Sequence, residues 1–97
     1  HSRQESPDEI LRFCELYRSY NSTLPLISVP TSYNSITSNE LRKAGVNVTI
    51  YANHMLRAAY PGMIKVAQSI LQNDRSFEAE KELLSIKEIL NLIPGTR

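Results

Sequence analysis

The 97 residues are 41% hydrophobic and 22% charged, with eleven basic and ten acidic side chains, three Gly and five Pro. That is the composition of one small globular domain, and it excludes a disordered tail, a collagen-like repeat and a low-complexity linker. The net charge of +1 gives no reason to expect nucleic acid, and no apolar run approaches the roughly 18 residues of a membrane span. Cys14 is the single cysteine, so no internal disulfide or cysteine-based zinc framework is available. A reducing, cytoplasmic setting is expected, and no charged-then-apolar leader stands at the start. The chain opens on His1 without Met, which suggests a piece cut from something longer.

Ser6-Pro7-Asp8-Glu9 reads as a helix start, with Ser6 as cap, Pro7 at the first helical position and Glu9 reaching back to the Ser6 amide. Ile10, Phe13, Cys14 and Tyr17 then recur at helical spacing, predicting a helix over 6–20. Asn21-Ser22-Thr23 ends it. The apolar run over 24–29, closed by Pro30, reads as a buried strand. After a polar stretch, Thr37 and Glu40 repeat the capping-box pattern and predict a helix over 38–44, stopped by Gly45. Val46-Asn47-Val48-Thr49-Ile50-Tyr51 is rich in β-formers and predicts a second strand over 46–52. Strand, helix and strand with short connections form a βαβ unit with a parallel pair.

Beyond Asn53 and His54 the pattern is helical throughout. Leu56, Tyr60, Met63, Ile64, Ala67, Ile70 and Leu71 share one face. Pro61 removes a backbone donor, so a short turn over 54–59 and a main helix over 61–72 are expected. A last helix over 77–92 carries Ala79, Leu83, Ile86, Leu90 and Ile93 as a stripe, and Pro94-Gly95 ends it. Two strands cannot shield this much apolar helix, and a parallel pair is normally buried on both faces. More chain or more copies are needed to complete the core.

Ligands of α/β folds gather at the carboxyl ends of parallel strands. Those ends supply Thr31, Tyr33, Asn53 and His54, with Arg57 close behind, a set suited to an anionic ligand. The plainer reading has Thr31 and Asn53 capping turns while His54 and Arg57 open a solvated helix. His1 and Ser2 read by themselves as an expression-tag scar as easily as a site. Cys14, on an apolar helix face, reads as a small buried hydrophobe. Glycine-rich phosphate loops, Ser-His-Asp spacing and paired-histidine metal motifs do not occur. Asn21-Ser22-Thr23 and Asn47-Val48-Thr49 match the glycosylation pattern by chance, the second inside a predicted buried strand.

Four runs together carry a resemblance. Val29-Pro30-Thr31-Ser32-Tyr33, Ala52-Asn53-His54-Met55-Leu56-Arg57-Ala58, Ser85-Ile86-Lys87-Glu88-Ile89 and the opening His1-Ser2-Arg3 stand in order and at the right spacing. They resemble the VPT-x-Y, ANH-x-LRA, S-[IV]-KEI and H-S-[KR] segments of the phosphoenolpyruvate phosphomutase branch of the isocitrate lyase superfamily. The resemblance covers nearly the whole chain and replaces the tag reading of His1.

It implies an α/β fold, the C-terminal part of an (α/β)8 TIM-type barrel holding the last two strands with their helices and a closing helix. It also implies that the helix over 61–72 is swapped between subunits, giving a homodimer or homotetramer. The implied reaction interconverts phosphoenolpyruvate and phosphonopyruvate with Mg2+, whose ligands are expected in the missing N-terminal barrel portion. Of the site residues, the resemblance implies His1 as catalytic, Ser2 and Thr31 as substrate-binding, and Asn53, His54 and Arg57 as supports of the rim. The family's metal acids, phosphoryl-binding arginine and gating loop lie outside these residues, so the isolated chain is expected to be inactive. Phosphonopyruvate hydrolase on the same scaffold is the nearest alternative. A non-catalytic helical oligomerisation domain is the alternative of another class.

Overall fold

In the computed structural model, which describes residues 1–95, β1 (Ile27–Ser28) and β2 (Val48–Thr49) pair in parallel. Ile27 stands opposite Val48 and Ser28 opposite Thr49. The Asn47 and Val48 amides both donate to the Leu26 carbonyl, and the Ile50 amide donates to that of Ser28. Both strands are shorter than the expected 24–29 and 46–52. Pro25 and Pro30 bracket β1 and have no N–H to give to a ladder, which ends regular pairing there.

The structure forms two compact units, His1–His54 and Met55–Arg97. The first contains α1 (Asp8–Tyr20), β1, α2 (Ser38–Lys43) and β2. Its core is Ile10 and Cys14 of α1 packed with Tyr33, Ile36, Leu41 and Val46. Cys14, Tyr33 and Leu41 are fully buried. Phe13, expected on the same face, is half exposed and stacks on Tyr17 with ring centroids 5.6 Å apart. The buried stripe turns instead through Ile10, Leu11 and Cys14.

The two predicted capping boxes of this unit fare differently. At α2 the Thr37 hydroxyl accepts from the Glu40 amide, and the Glu40 carboxylate accepts from the Thr37 amide. The Thr37 amide and hydroxyl hold the Glu40 carboxyl below the usual carboxylate range. At α1 the box over Ser6 and Glu9 is replaced. Pro7 takes the cap position, the Ser6 hydroxyl accepts from the Asp8 amide, and Glu9 accepts from the Ser2 hydroxyl at 3.1 Å. With the Glu9 carboxylate bonded to Ser2, the helix begins at Asp8 and not at residue 6.

Arg18, in the last turn of α1, ties the amino ends of both strands together. Its guanidinium donates to the carbonyls of Asn21, Leu24 and Gly45 and to Asn47 Oδ1. Asn47 is exposed and precedes β2, so it does not lie inside a buried strand as expected. Its Oδ1 also accepts from the Leu26 amide. Asn21 forms a side-chain turn, with Oδ1 accepting from the Thr23 and Leu24 amides. Gly45 ends α2 at φ +105°, a conformation open to glycine at little cost.

The second unit holds most of α3 (His54–Asn73), a 3-10 helix (Phe77–Glu82) and α4 (Ile86–Asn91). The break expected at Pro61 does not occur, and α3 runs through it. A proline removes one helical hydrogen bond, whereas ending the helix would orphan about four donors and four acceptors. The single closing helix over 77–92 is likewise replaced by two pieces. Ser85 and Glu88 form a reciprocal capping box that starts α4 afresh. Asp74 adopts φ 54° beyond α3, and Lys65 pairs with Glu82 at 2.9 Å. Ala79 is buried, while Leu83, Ile86, Leu90 and Ile93 of the predicted stripe are exposed. No residue of α3 is buried. Among the described residues, no helix is long and apolar enough to cross a membrane.

Candidate functional site

The carboxyl ends of β1 and β2 lie side by side because the strands are parallel neighbours. Past β1 the chain makes a tight turn, with the Thr31 amide donating to the Val29 carbonyl at 2.9 Å. Pro30 is buried, Thr31 and Ser32 are half-buried, and Tyr33 turns fully into the core. Burial pushes the Tyr33 phenol above its ordinary value. Its hydroxyl is buried without a hydrogen-bond partner.

The amino-terminal segment meets this turn. Ser2 is only 3% exposed, and its carbonyl accepts from the Ser32 hydroxyl at 2.5 Å. The Ser2 hydroxyl accepts from the Gln4 amide at 3.0 Å and donates to Glu9 at 3.1 Å. His1 beside it is exposed. The structure therefore brings the His1-Ser2 segment to the Thr31-Ser32 turn. These are two of the places where the sequence put site residues.

Past β2, the Tyr51 hydroxyl and the Ser38 hydroxyl share a hydrogen bond. The His54 ring meets Tyr51 edge-on, centroids 5.5 Å apart and planes at 80°. His54 Nδ1 is buried without a partner, and Asn53 is exposed just before α3. Arg57 is exposed on α3, in the second unit. Sequence reasoning missed Ser32 and Glu9, which hold Ser2. Ser32 fills the open position of the VPT-x-Y run, and Glu9 has the spacing of a local cap, so neither carries a signal of its own. It also missed that Tyr33 is core, although an aromatic two residues beyond a strand-ending Pro-Thr pair carried a hint of burial.

The Thr31 side chain at the end of β1 and the His54 ring past β2 are polar groups of the kind that meets an anion such as a carboxylate or phosphoryl group at the carboxyl ends of parallel strands. Among the described residues, no group of three or more His, Cys, Asp or Glu side chains could hold a metal ion. The named rim residues His1, Ser2, Thr31, Asn53, His54 and Arg57 include no carboxylate, the side chain that magnesium favours.

No family model matches the chain. It is 38% identical over 93 residues to phosphonopyruvate hydrolase from Variovorax sp. (strain Pal2), covering 95% of the chain and 31% of that protein. It is 32% identical over 92 residues to phosphoenolpyruvate phosphomutase from Tetrahymena pyriformis, covering 95% of the chain and 30% of that protein. Among solved structures, phosphoenolpyruvate phosphomutase from Streptomyces platensis subsp. rosaceus superposes with a TM-score of 0.82 at 29% identity, over 95% of the chain and 31% of the other. Phosphonopyruvate hydrolase in complex with oxalate and Mg++ superposes with a TM-score of 0.77 at 38% identity, over 95% and 32%. Over nearly all of its own length, then, the chain matches phosphoenolpyruvate phosphomutase and phosphonopyruvate hydrolase, and it spans about 30% of theirs.

Proposed function

We propose that these residues are the C-terminal part of an (α/β)8 barrel enzyme that interconverts phosphoenolpyruvate and phosphonopyruvate. The observation that carries this reading is the match over 95% of the chain to two enzymes named for those substrates. The bond from Ser32 to Ser2, which draws the His1 segment to the end of β1, supports it further. In the forward sense the phosphoryl group leaves the enol oxygen of phosphoenolpyruvate and a phosphorus–carbon bond forms at C3. Such transfer depends on placement and on charge stabilisation.

In this reading His1 donates to the phosphoryl oxygens in transit. Thr31 lies on the same rim and contacts the substrate, while Asn53, His54 and Arg57 support the rim. The Mg2+ ligands belong to barrel residues outside this chain. The apolar face of α3, with Met55, Leu56, Tyr60, Met63 and Leu71 exposed, fits a helix exchanged between the subunits of a homodimer or homotetramer.

Hydrolysis of phosphonopyruvate is the second reading, favoured by the higher identity to the hydrolase, 38% against 32%. Phosphorus NMR of the full-length protein given phosphonopyruvate separates the two. Phosphoenolpyruvate is expected from the mutase, and pyruvate with inorganic phosphate would replace that reading by the hydrolase. If the substrate persists, both fall, and an oligomerisation domain without catalysis takes their place.

A further inference from the structure

Ser2 is the buried residue of a segment whose neighbours His1, Arg3 and Gln4 are exposed. It is held at two atoms from two directions. Its carbonyl accepts from Ser32 in the turn after β1, and its hydroxyl donates to Glu9 in the first turn of α1. A serine hydroxyl has one proton to give. Here it goes to Glu9, so Ser2 has none left for a phosphoryl oxygen. The Ser32 bond also joins the residue after His1 to the residue after Thr31. Fixing the carbonyl and the hydroxyl of Ser2 sets the direction in which the chain leaves it towards His1.

We propose that Ser32 and Glu9 are positioning residues, which act through Ser2 to hold His1 in register with Thr31 at the end of β1. Ser2 is then the anchor of this latch and does not bind substrate. The catalytic side of the inference rests on the reading of the reaction given above, whereas the latch itself does not. A displacement of about 1 Å at a reacting group is enough to cost on the order of a hundredfold in rate. Two hydrogen bonds that define one residue's orientation therefore matter to turnover without touching substrate.

The test uses the full-length protein with Ser32→Ala, which removes one arm of the latch, and Ser32→Thr, which keeps the hydroxyl. Ser32→Ala is expected to speed amide exchange over residues 1–5 about tenfold and to lower kcat for phosphonopyruvate about tenfold, with KM changed less than about twofold. Ser32→Thr is expected to restore both. Should Ser32→Ala fail to fold, Glu9→Ala at an exposed site cuts the other arm and carries the same expectation. Unchanged exchange overturns the latch. Faster exchange with unaltered kcat overturns the positioning role. A parent protein without turnover overturns the reaction reading, and the exchange result then judges the latch by itself.

Discussion

Arg18 Nη2 meets Asn47 Oδ1 at 2.8 Å across 29 residues of sequence. The same guanidinium donates to the carbonyls of Gly45, Leu24 and Asn21. One planar fork thus joins the end of α1 to the turn before β1 and the turn before β2. The strands themselves contribute a short ladder, so their register depends on these turns as much as on their own pairing.

Replacing Arg18 by Ala leaves several carbonyls without their charged donor. Denaturant unfolding is expected to show a loss of about 2–4 kcal/mol, since hydrogen bonds to charged groups contribute more than neutral ones. Arg18→Lys is expected to recover less than about half, because a point charge cannot serve a fork of acceptors. An equal recovery by Lys would mean that charge, and not geometry, is what Arg18 supplies.

Gly45 is the partner position. A Cβ there would stand 2.9 Å from Arg18 Cγ and Nε, on a backbone at φ +105°. Gly45→Ala is expected to cost about 1–3 kcal/mol from the left-handed backbone and the clash together. Combined with Arg18→Ala, the clash disappears and the strain persists. A double-mutant cycle should therefore show coupling, and strict additivity would remove the steric part of the account.

Alkaline pH should loosen the first unit. Burial pushes the Cys14 thiol above its ordinary 9.0, against an opposing pull from Arg18, and burial pushes the Tyr33 phenol above 10.0. Both groups are favoured neutral in the fold, so their contribution is complete below the unfolded values and is lost as pH rises through the folded ones. Thermal unfolding is expected to be level up to about pH 9 and to fall beyond it. The Cys14→Ala variant should lose the thiol part of that fall; a profile identical to the parent's would exonerate Cys14.

His1 carries the catalytic part of the proposal. In the full-length protein, His1→Ala is expected to lower turnover about a hundredfold, the scale for one lost donor to a transition-state oxyanion. The melting temperature should stay with that of the parent, because His1 is exposed. Unaltered kinetics would remove His1 from the site.

Local chemistry was what the sequence made legible. Thr37 and Glu40 announced α2 because a capping box is made of residues three apart, and Cys14 announced its burial through helical spacing. The identical signal at Ser85 and Glu88 lies within one long apolar stripe that masks it, yet it splits the closing segment. Pro61 misled in the opposite sense, since helix on both sides outweighs one missing bond. What stayed hidden depends on distance along the chain. Ser32 with Ser2 and Arg18 with Gly45 are pairs separated by 30 and 27 residues, and no periodicity reports them. The rim motifs placed His1 and Thr31 near one another by resemblance, while the atoms that join their neighbours became visible only in the fold.

The two-stranded sheet has a practical consequence. Among the described residues each strand pairs on one edge, and Ile27 and Val48 lie exposed opposite each other, 53% and 46% accessible. A parallel pair with open margins and a bare aliphatic face is adhesive towards further strands. If these residues belong to the barrel proposed above, a piece separated from its neighbouring strands should precipitate or stack on itself, and solubility assays on such a piece would report on sheet edges before catalysis.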